Sequence, residues 1–156
     1  MEILEINVEV RQDTCPDLSY LGEFGDEWKK YAIDRKRMGT WNRGECRYFY
    51  SANSPKPEMS SKEKHIAWDQ CEYDFWCMER YMRDWVMLEV CATAKVAIFG
   101  VTEKITSGCT KVESDSDDEF ILSIKQSELL ELKSILKEID FSDEEIEEIK
   151  VGGLSE

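Results

Sequence analysis

The sequence is poor in the residues that most catalytic and metal sites use. Its 156 residues include one histidine, His65, and no two of its six cysteines stand in the Cys-x-x-Cys spacing. A structural zinc site usually draws on such short spacings, so we predict none here. Gly-x-Ser-x-Gly, P-loop, His-Glu-x-x-His and dinucleotide-binding glycine patterns are also missing. We therefore predict no catalytic residue, no metal and no cofactor, and we favour a binding protein over an enzyme.

Long apolar runs are missing as well. No run approaches the roughly 20 residues that a membrane-spanning helix needs. The N-terminal residues MEILEINVEV are acidic and alternating, unlike a signal peptide with its basic start and apolar centre. The cysteines are widely spaced, and we expect reduced, mostly buried thiols. These patterns predict a soluble, cytoplasmic protein that does not bind membranes.

Alternating apolar and polar residues predict an antiparallel sheet of about four to five strands. Residues 86–99 alternate over the longest stretch, Gly100 turns the chain, and residues 101–106 return beside it. A short strand is expected at residues 31–34. The first strand places four apolar side chains on one face: Leu4, Ile6, Val8 and Val10.

Three Ser-x-x-Glu sequences predict helix starts, because the serine and the glutamate of such a capping box bind each other's backbone N–H groups. The box Ser60–Glu63 precedes a long helix that we expect to reach about Arg83 and to pack on the sheet. The boxes Ser116–Glu119 and Ser142–Glu145 precede two acidic segments with apolar stripes.

These elements predict one α+β domain over residues 1–156. Residues 1–112 are expected to form the sheet and the long helix, and residues 113–156 an acidic helical pair. Within that pair, Ser127 can cap or restart a helix, and Gly152-Gly153 is expected to end the last one.

The net charge of −14 is concentrated near the C-terminus. Residues 113–156 hold 15 acidic and 4 basic side chains, whereas residues 1–112 hold 19 and 16. Such a field repels nucleic acid and anionic membranes and attracts basic protein surfaces. We expect a basic partner to contact eight carboxylates of this segment: Glu113, Asp115, Asp117, Asp118, Asp143, Glu144, Glu147 and Glu148. We also expect it to contact two aromatic side chains on the polar face of the long helix, Tyr73 and Trp76.

One acidic run within this region is VESDSDDEF, residues 112–120. Carboxylates in a first helical turn are stabilised by the unpaired backbone N–H groups there, which accounts for most of the run. The run has no central glycine, so it is not a calcium loop of the EF-hand type. Whether a divalent cation binds near Glu113–Asp118 together with a distant carboxylate is left open.

A second candidate region reverses the charge of the chain. Between residues 35 and 50, arginines alternate with aromatic residues. This composition is typical of a single-stranded nucleic-acid platform, but we favour a β-hairpin with its aromatics in the core and its arginines facing water or the acidic tail, because the negative field of the whole protein opposes nucleic acid. As an alternative function, we consider a small-molecule or metabolite-binding domain, weakly enzymatic at most, that uses Trp41, Arg43, Arg47, Tyr48 and the neighbouring arginine, Arg35.

Short motifs throughout the chain resemble those of small uncharacterised acidic proteins of bacteria and their phages. The motifs are PDLSYLGEF (16–24), AIDRK (32–36), SGCTKVESDSDDEF (107–120) and LLELKSILKEI (129–139). The resemblance implies a bacterial or mobile-element setting and no catalytic residue. It adds Tyr20, Asp34 and Arg35 to the candidate ligand-binding residues and again points to Glu113 and Asp115.

These observations favour an inhibitor that binds a basic, nucleic-acid-handling partner in a bacterial cytoplasm. An anti-restriction or anti-CRISPR protein is the type expected, and direct nucleic-acid binding is not. The oligomeric state is open, and a homodimer through Tyr73 and Trp76 is one alternative.

Overall fold

The computed structural model describes residues 1–154 and confirms a mixed α+β protein. Among these residues it has a five-stranded sheet, a three-stranded sheet and four helices. The strands are β1 (Glu2–Gln12), β2 (Gly22–Gly25), β3 (Ile33–Asp34), β4 (Tyr48–Ser51), β5 (Met87–Ile98), β6 (Val101–Thr106), β7 (Thr110–Glu113) and β8 (Val151–Gly152). The helices are α1 (Arg35–Met38), α2 (Ser61–Arg80), α3 (Asp118–Glu138) and α4 (Asp143–Glu147).

The chain forms two compact units. Unit 1 contains Met1–Thr14 and the chain from Trp85 onward, and unit 2 contains Cys15–Asp84. Unit 2 is thus an insertion between the first and second long strands of unit 1. The expectation of a single domain stays a prediction.

The sheet of unit 1 is built around β5. Strand β1 pairs with β5 in antiparallel register from Glu2 opposite Ala97 to Gln12 opposite Leu88. Because β1 occupies one edge of β5 along its length, β6 and β7 share the other edge, interrupted by residues 107–109. Strand β8 adds to the far side of β1 in parallel orientation.

The alternation predicted for β1 is broken at its start. The register with β5 shifts between Ile3 and Glu5, so Ile3 is buried while Leu4 is 44% exposed. The prediction that Leu4 faces the core is therefore wrong, because a bulge reverses the faces at that point. Beyond it, Ile6 and Val8 face the core as predicted, and Val10 lies exposed near the strand's end.

Helix α3 packs on the five-stranded sheet through buried leucines, among them Leu132 and Leu136. It begins one residue later than predicted: Asp117, not Ser116, caps it by accepting a hydrogen bond from the Phe120 N–H at 2.7 Å. The helix also continues through Ser127 without a restart.

The capping box of α4 is present as predicted. The Glu145 N–H donates to the Ser142 hydroxyl, and the Ser142 N–H donates to the Glu145 carboxylate. The residues placed for a hydrophobic staple, Phe141 and Ile146, are both buried. The glycine pair does not end this helix, however, because α4 ends at Glu147 and Gly152 belongs to β8.

In unit 2, helix α2 packs on the three-stranded sheet. Phe49 of β4 and Phe75 of α2 are fully buried, and their ring centroids lie 5.8 Å apart. The capping box of Ser60 and Glu63 starts α2 as predicted, but the helix ends at Arg80 rather than near Arg83. Met82 has a φ of +69°, a left-handed conformation that a right-handed helix cannot contain.

A buried carboxylate fixes the position of α2 against β4. Asp74 is 1% exposed and accepts hydrogen bonds from Ser51 at 2.7 Å and from Asn53 and Gln70 at 2.8 Å each. Three donors satisfy a charge that would otherwise be costly to bury. The two elements are therefore joined by polar as well as apolar contacts.

Two cysteines form a disulfide, which corrects the expectation that all six are reduced. Cys91 and Cys109 are bonded, with their Cα atoms 4.7 Å apart, whereas Cys15, Cys46, Cys71 and Cys77 are not part of a disulfide. The bridge therefore links residues 107–109, which separate β6 from β7, to strand β5.

Helix α3 also binds this segment between β6 and β7, through the side chain of Glu128. Buried Glu128 accepts hydrogen bonds from the hydroxyls of Ser107, at 2.7 Å, and Thr110. Ser107 is also paired through its backbone and side chain with Ala92 of β5. No helix within residues 1–154 has both the length and the apolar character required to cross a membrane.

We predict that Cys109→Ser lowers the free energy of unfolding by about 3 kcal/mol under oxidising conditions, because the bridge restricts an unfolded loop of 18 residues. Urea unfolding with and without reductant measures the effect. The variant and the parent protein should converge under reduction, and Cys15→Ser should match the parent in both conditions. Equal stability of Cys109→Ser and the parent in the absence of reductant would contradict a stabilising disulfide between Cys91 and Cys109.

Candidate ligand-binding cleft

Unit 2 contains a cleft of about 390 Å³ lined by residues of β3, α1, β4 and α2 and of the loops before β3 and β4. Its volume lies within the range of about 300–1,000 Å³ that is usual for small-molecule sites, near the lower end. Ten residues line it: Trp28, Ala32, Ile33, Asp34, Arg37, Met38, Arg47, Tyr48, Trp68 and Glu72.

Three aromatic side chains form much of the cleft's apolar surface. Trp28 is 67% exposed, whereas Tyr48 and Trp68 are half-buried. Trp68 is supported by Tyr31, with ring centroids 6.3 Å apart. Because most of the Trp28 indole is in water, burial against a ligand would remove a large apolar surface from solvent.

Two charged residues of the cleft, Asp34 and Arg47, form an ion pair with each other. Arg47 donates from Nε and Nη2 to the two carboxylate oxygens of Asp34, at 2.9 and 2.8 Å. These hydrogen bonds hold the pKa of Asp34 below its usual value and raise the pKa of Arg47. Asp34 also caps α1, accepting from the Lys36 N–H, so the pair orients both the helix start and the Arg47 side chain.

Two further charged groups of the cleft have no such partner. Among the described residues, neither Arg37 nor Glu72 forms an ion pair or a side-chain hydrogen bond. Arg37 contributes only a weaker electrostatic effect that lowers the pKa of Asp34, after the main effect of Arg47. The cleft therefore presents one guanidinium and one carboxylate that are free to bind a ligand.

Arg35, a candidate ligand-binding residue, forms its ion pairs and hydrogen bonds with residues outside the cleft. It is 8% exposed, and its guanidinium pairs with Glu79 at 2.7 Å and Glu45 at 2.8 Å. It also donates to the Cys46 carbonyl and lies 4.7 Å from the ring centroid of Phe24. These contacts make Arg35 a link between α1, the following loop and α2, outside the cleft lining.

The remaining candidates of this region divide in two. Asp34, Arg47 and Tyr48 line the cleft. Tyr20, Trp41 and Arg43 do not: Trp41 donates its indole N–H to the Glu45 carbonyl at 3.0 Å, and Tyr20 and Arg43 lie exposed on loops.

Seven cleft residues are not among the sequence candidates, and four of them carry an aromatic ring or a charge: Trp28, Arg37, Trp68 and Glu72. Glu72 follows Trp68 by four residues, on the same helical face, which is a local signal for a shared site. Arg37 follows Asp34 by three residues, a similar signal. Trp28 carries no local signal that sets it apart.

The acidic candidates lie on the surface of unit 1 in two groups. Asp117 and Asp118 stand at the start of α3, and Asp143 and Glu144 follow its end. The 21 residues of α3 separate the groups by about 30 Å at 1.5 Å per residue. They are therefore two separate patches.

The two acidic groups also differ in how far they are neutralised. At the second group, Lys137 pairs with Asp143 at 2.5 Å and Lys133 with Glu147 at 2.7 Å. At the first group, Asp115 and Asp118 are exposed and have no ion pair among the described residues. Glu113, in β7, is half-buried, and Glu148 is exposed at the end of α4.

The aromatic residues proposed for the polar face of α2 are not equivalent. Tyr73 is 64% exposed. Trp76 packs edge-on against Phe75, with centroids 5.0 Å apart, and belongs in part to the core of unit 2. Arg80 lies 6.0 Å from its ring.

One group of potential metal ligands occurs within residues 1–154, at Glu89, Cys91 and Cys109 rather than in the acidic run. The two sulfur atoms are bonded to each other. Lys111 and then Arg11 lower the pKa of Glu89 by hydrogen bonding to its carboxylate. We propose no metal site there, because all three groups already have partners.

No family model, curated protein or solved structure matches the chain.

We predict that Asp34→Asn destabilises the protein above about pH 4 and that its effect disappears in acid. The Asp34 pKa is lowered in the folded state, so the pair stabilises the fold above the unfolded pKa of about 3.9 and is lost as pH falls through the folded value. Asparagine caps a helix as well as aspartate, so the variant tests the ion pair.

Urea unfolding of the parent and of Asp34→Asn from neutral to acidic pH makes this comparison. Asp26→Asn serves as the control, because Asp26 is exposed and forms no ion pair within residues 1–154. A stability difference that does not change between neutral and acidic pH would contradict the role of the Asp34 charge.

Proposed function

We propose that the chain is a binding protein whose cleft in unit 2 holds a small planar ligand with a negatively charged group. The observation that carries the proposal is the joint presence of three aromatic side chains and the unpaired Arg37 guanidinium around one cleft. Flat aromatic walls favour planar ligands through stacking. A free guanidinium favours carboxylate or phosphate, whose geometry it matches in a bidentate contact.

The composition of the cleft favours binding over catalysis. None of its ten lining residues is a histidine, cysteine, serine or threonine. The single histidine, His65, lies exposed on α2, where its Nε2 is 3.8 Å from a carboxylate oxygen of Asp69. The side chains that line the cleft are suited to stacking and to ionic contacts with a ligand.

A binding titration tests this proposal. Nucleoside monophosphates and aromatic amino acids, which carry a phosphate or a carboxylate group, are added to the full chain, and tryptophan fluorescence and the melting temperature are recorded. We expect at least one compound to bind and Trp28→Ala to weaken it by about 5- to 100-fold, the loss of one stacking contact. The largely exposed position of Trp28 lets this variant keep its fold.

The control for this titration is Trp41→Phe, which removes an indole outside the cleft and should leave affinity unchanged. The absence of binding by the whole panel would contradict the proposed function. Binding that Trp41→Phe weakens and Trp28→Ala leaves intact would place the ligand elsewhere and contradict it equally.

As a second candidate, we propose that the acidic surface of unit 1 inhibits a basic nucleic-acid-handling protein of the restriction or CRISPR type. The supporting observation is the cluster of exposed carboxylates without ion pairs at the start of α3, at Asp115, Asp118 and Glu119. Counterion release on contact with a basic groove would make such binding sensitive to salt.

We expect reversal of four exposed carboxylates, Asp115, Asp118, Glu144 and Glu148, to lysine to abolish protection in bacteria that carry a restriction or CRISPR system. Phage plating with and without expression of the chain measures the protection. This set avoids Asp143 and Glu147, whose pairs with Lys137 and Lys133 would change as well. The matched control, with the same change of net charge in unit 2, reverses Glu23, Asp26, Glu27 and Glu58. Equal effects of both variants would contradict a specific acidic surface.

A further inference from the structure

On the basis of the proposed function, we infer that the ligand of the cleft is a guanine nucleotide. The inference starts from the two unpaired charges, Arg37 and Glu72, which have opposite signs and stand on different elements, α1 and α2. They do not form an ion pair with each other. A ligand that satisfies both must carry hydrogen-bond donors at one end and an anionic group at the other.

Glu72 is placed to bind the edge of a ring that stacks on Trp68. The two residues are four apart in α2, which puts their Cβ atoms about 5–6 Å from each other on one helical face. A ring lying on the indole therefore presents its edge toward the carboxylate. Two parallel N–H groups on that edge would bind both carboxylate oxygens, the strongest arrangement available to them.

Among the common nucleobases, guanine offers this pair of donors. Its N1–H and exocyclic N2–H₂ groups lie side by side on the Watson–Crick edge. Adenine and cytosine each place a ring nitrogen acceptor beside their amino group, so a carboxylate would meet a lone pair there, and uracil has one N–H between two carbonyl oxygens. A site built around a carboxylate discriminates strongly against such bases, because one of its oxygens would remain unsatisfied.

The phosphate of the nucleotide is expected at the arginine side of the cleft. Arg37 is exposed and unpaired, and Arg47 uses Nε and Nη2 for Asp34, which leaves its Nη1 for a ligand. Guanidinium groups bind phosphate oxygens with matching geometry. The Asp34–Arg47 pair also prevents the Arg47 side chain from turning away from the cleft.

An amino acid ligand fits this arrangement less well. Its ammonium and carboxylate groups are attached to one carbon atom, whereas Arg37 and Glu72 stand on different helices and form no ion pair with each other. In a nucleotide, the sugar separates the donor edge of the base from the phosphate. The placement of the two charges on separate elements therefore favours the nucleotide.

The test compares GMP, IMP and AMP in titrations of the full chain, followed by tryptophan fluorescence and calorimetry. We expect GMP to bind more tightly than IMP, which lacks the 2-amino group, and at least 10-fold more tightly than AMP. Glu72→Gln should weaken GMP by about 10- to 100-fold, the effect of losing a charged hydrogen bond, and leave AMP unchanged. Arg37→Gln should weaken all three nucleotides and leave guanosine, which has no phosphate, unaffected.

Asp69→Asn is the matched control, because it removes an exposed carboxylate from the same helix outside the cleft and should change no affinity. Equal binding of GMP and AMP, with no effect of Glu72→Gln, would overturn the guanine assignment and leave the proposed binding function standing. Binding of an aromatic amino acid without any nucleotide would overturn it in the same way. Failure of the entire earlier panel would overturn both.

Discussion

The pairing of β1 with β5 is the constraint on which the rest of the structure depends. It joins residues 2–12 to residues 88–97 across the 70 residues of unit 2. The Asp13 N–H donates to the Met87 carbonyl at 2.8 Å, so the chain leaves and re-enters unit 1 at adjacent positions. Closing so long a loop costs conformational entropy, which the long ladder and the core beneath it must offset. With β5 fixed in this way, one of its edges is left for β6 and β7, and its inner face for α3.

Within unit 2, the distribution of hydrogen-bonding partners separates structural charges from those available to a ligand. Asp74 and Arg35 are buried with three or more partners each, and removing their partners would leave costly unsatisfied groups. Arg37 and Glu72 line the cleft without an ion pair among the described residues, and Asp34 and Arg47 line it as a bonded pair. The buried polar contacts of unit 2 thus join its structural elements, while two charged groups of the cleft remain available to a ligand.

The sequence predicted the elements that depend on neighbouring residues and failed where distant segments meet. The capping boxes at Ser60 and Ser142 formed as predicted, because their hydrogen bonds span three residues. At α3, Asp117 rather than Ser116 caps the helix, and the Ser116 N–H donates to the Glu113 carbonyl in the turn after β7. Four of the seven candidate ligand-binding residues lie outside the cleft, because the exposure and pairing of a side chain cannot be read from its neighbours in the chain.

By itself, the sequence determined the α+β class, the long alternation of β5, the capping boxes at Ser60 and Ser142 and the concentration of negative charge near the C-terminus. Each of these follows from periodicity, local hydrogen bonding or composition, which act over a few residues or none. Only the tertiary structure decided that Cys91 meets Cys109, that Leu4 turns outward, and that the acidic groups stand at opposite ends of one helix. It also decided which of two nearby arginines, Arg35 or Arg37, is free to bind. The physical reason is that register and ion pairing depend on distances across the fold, which spacing along the chain does not contain.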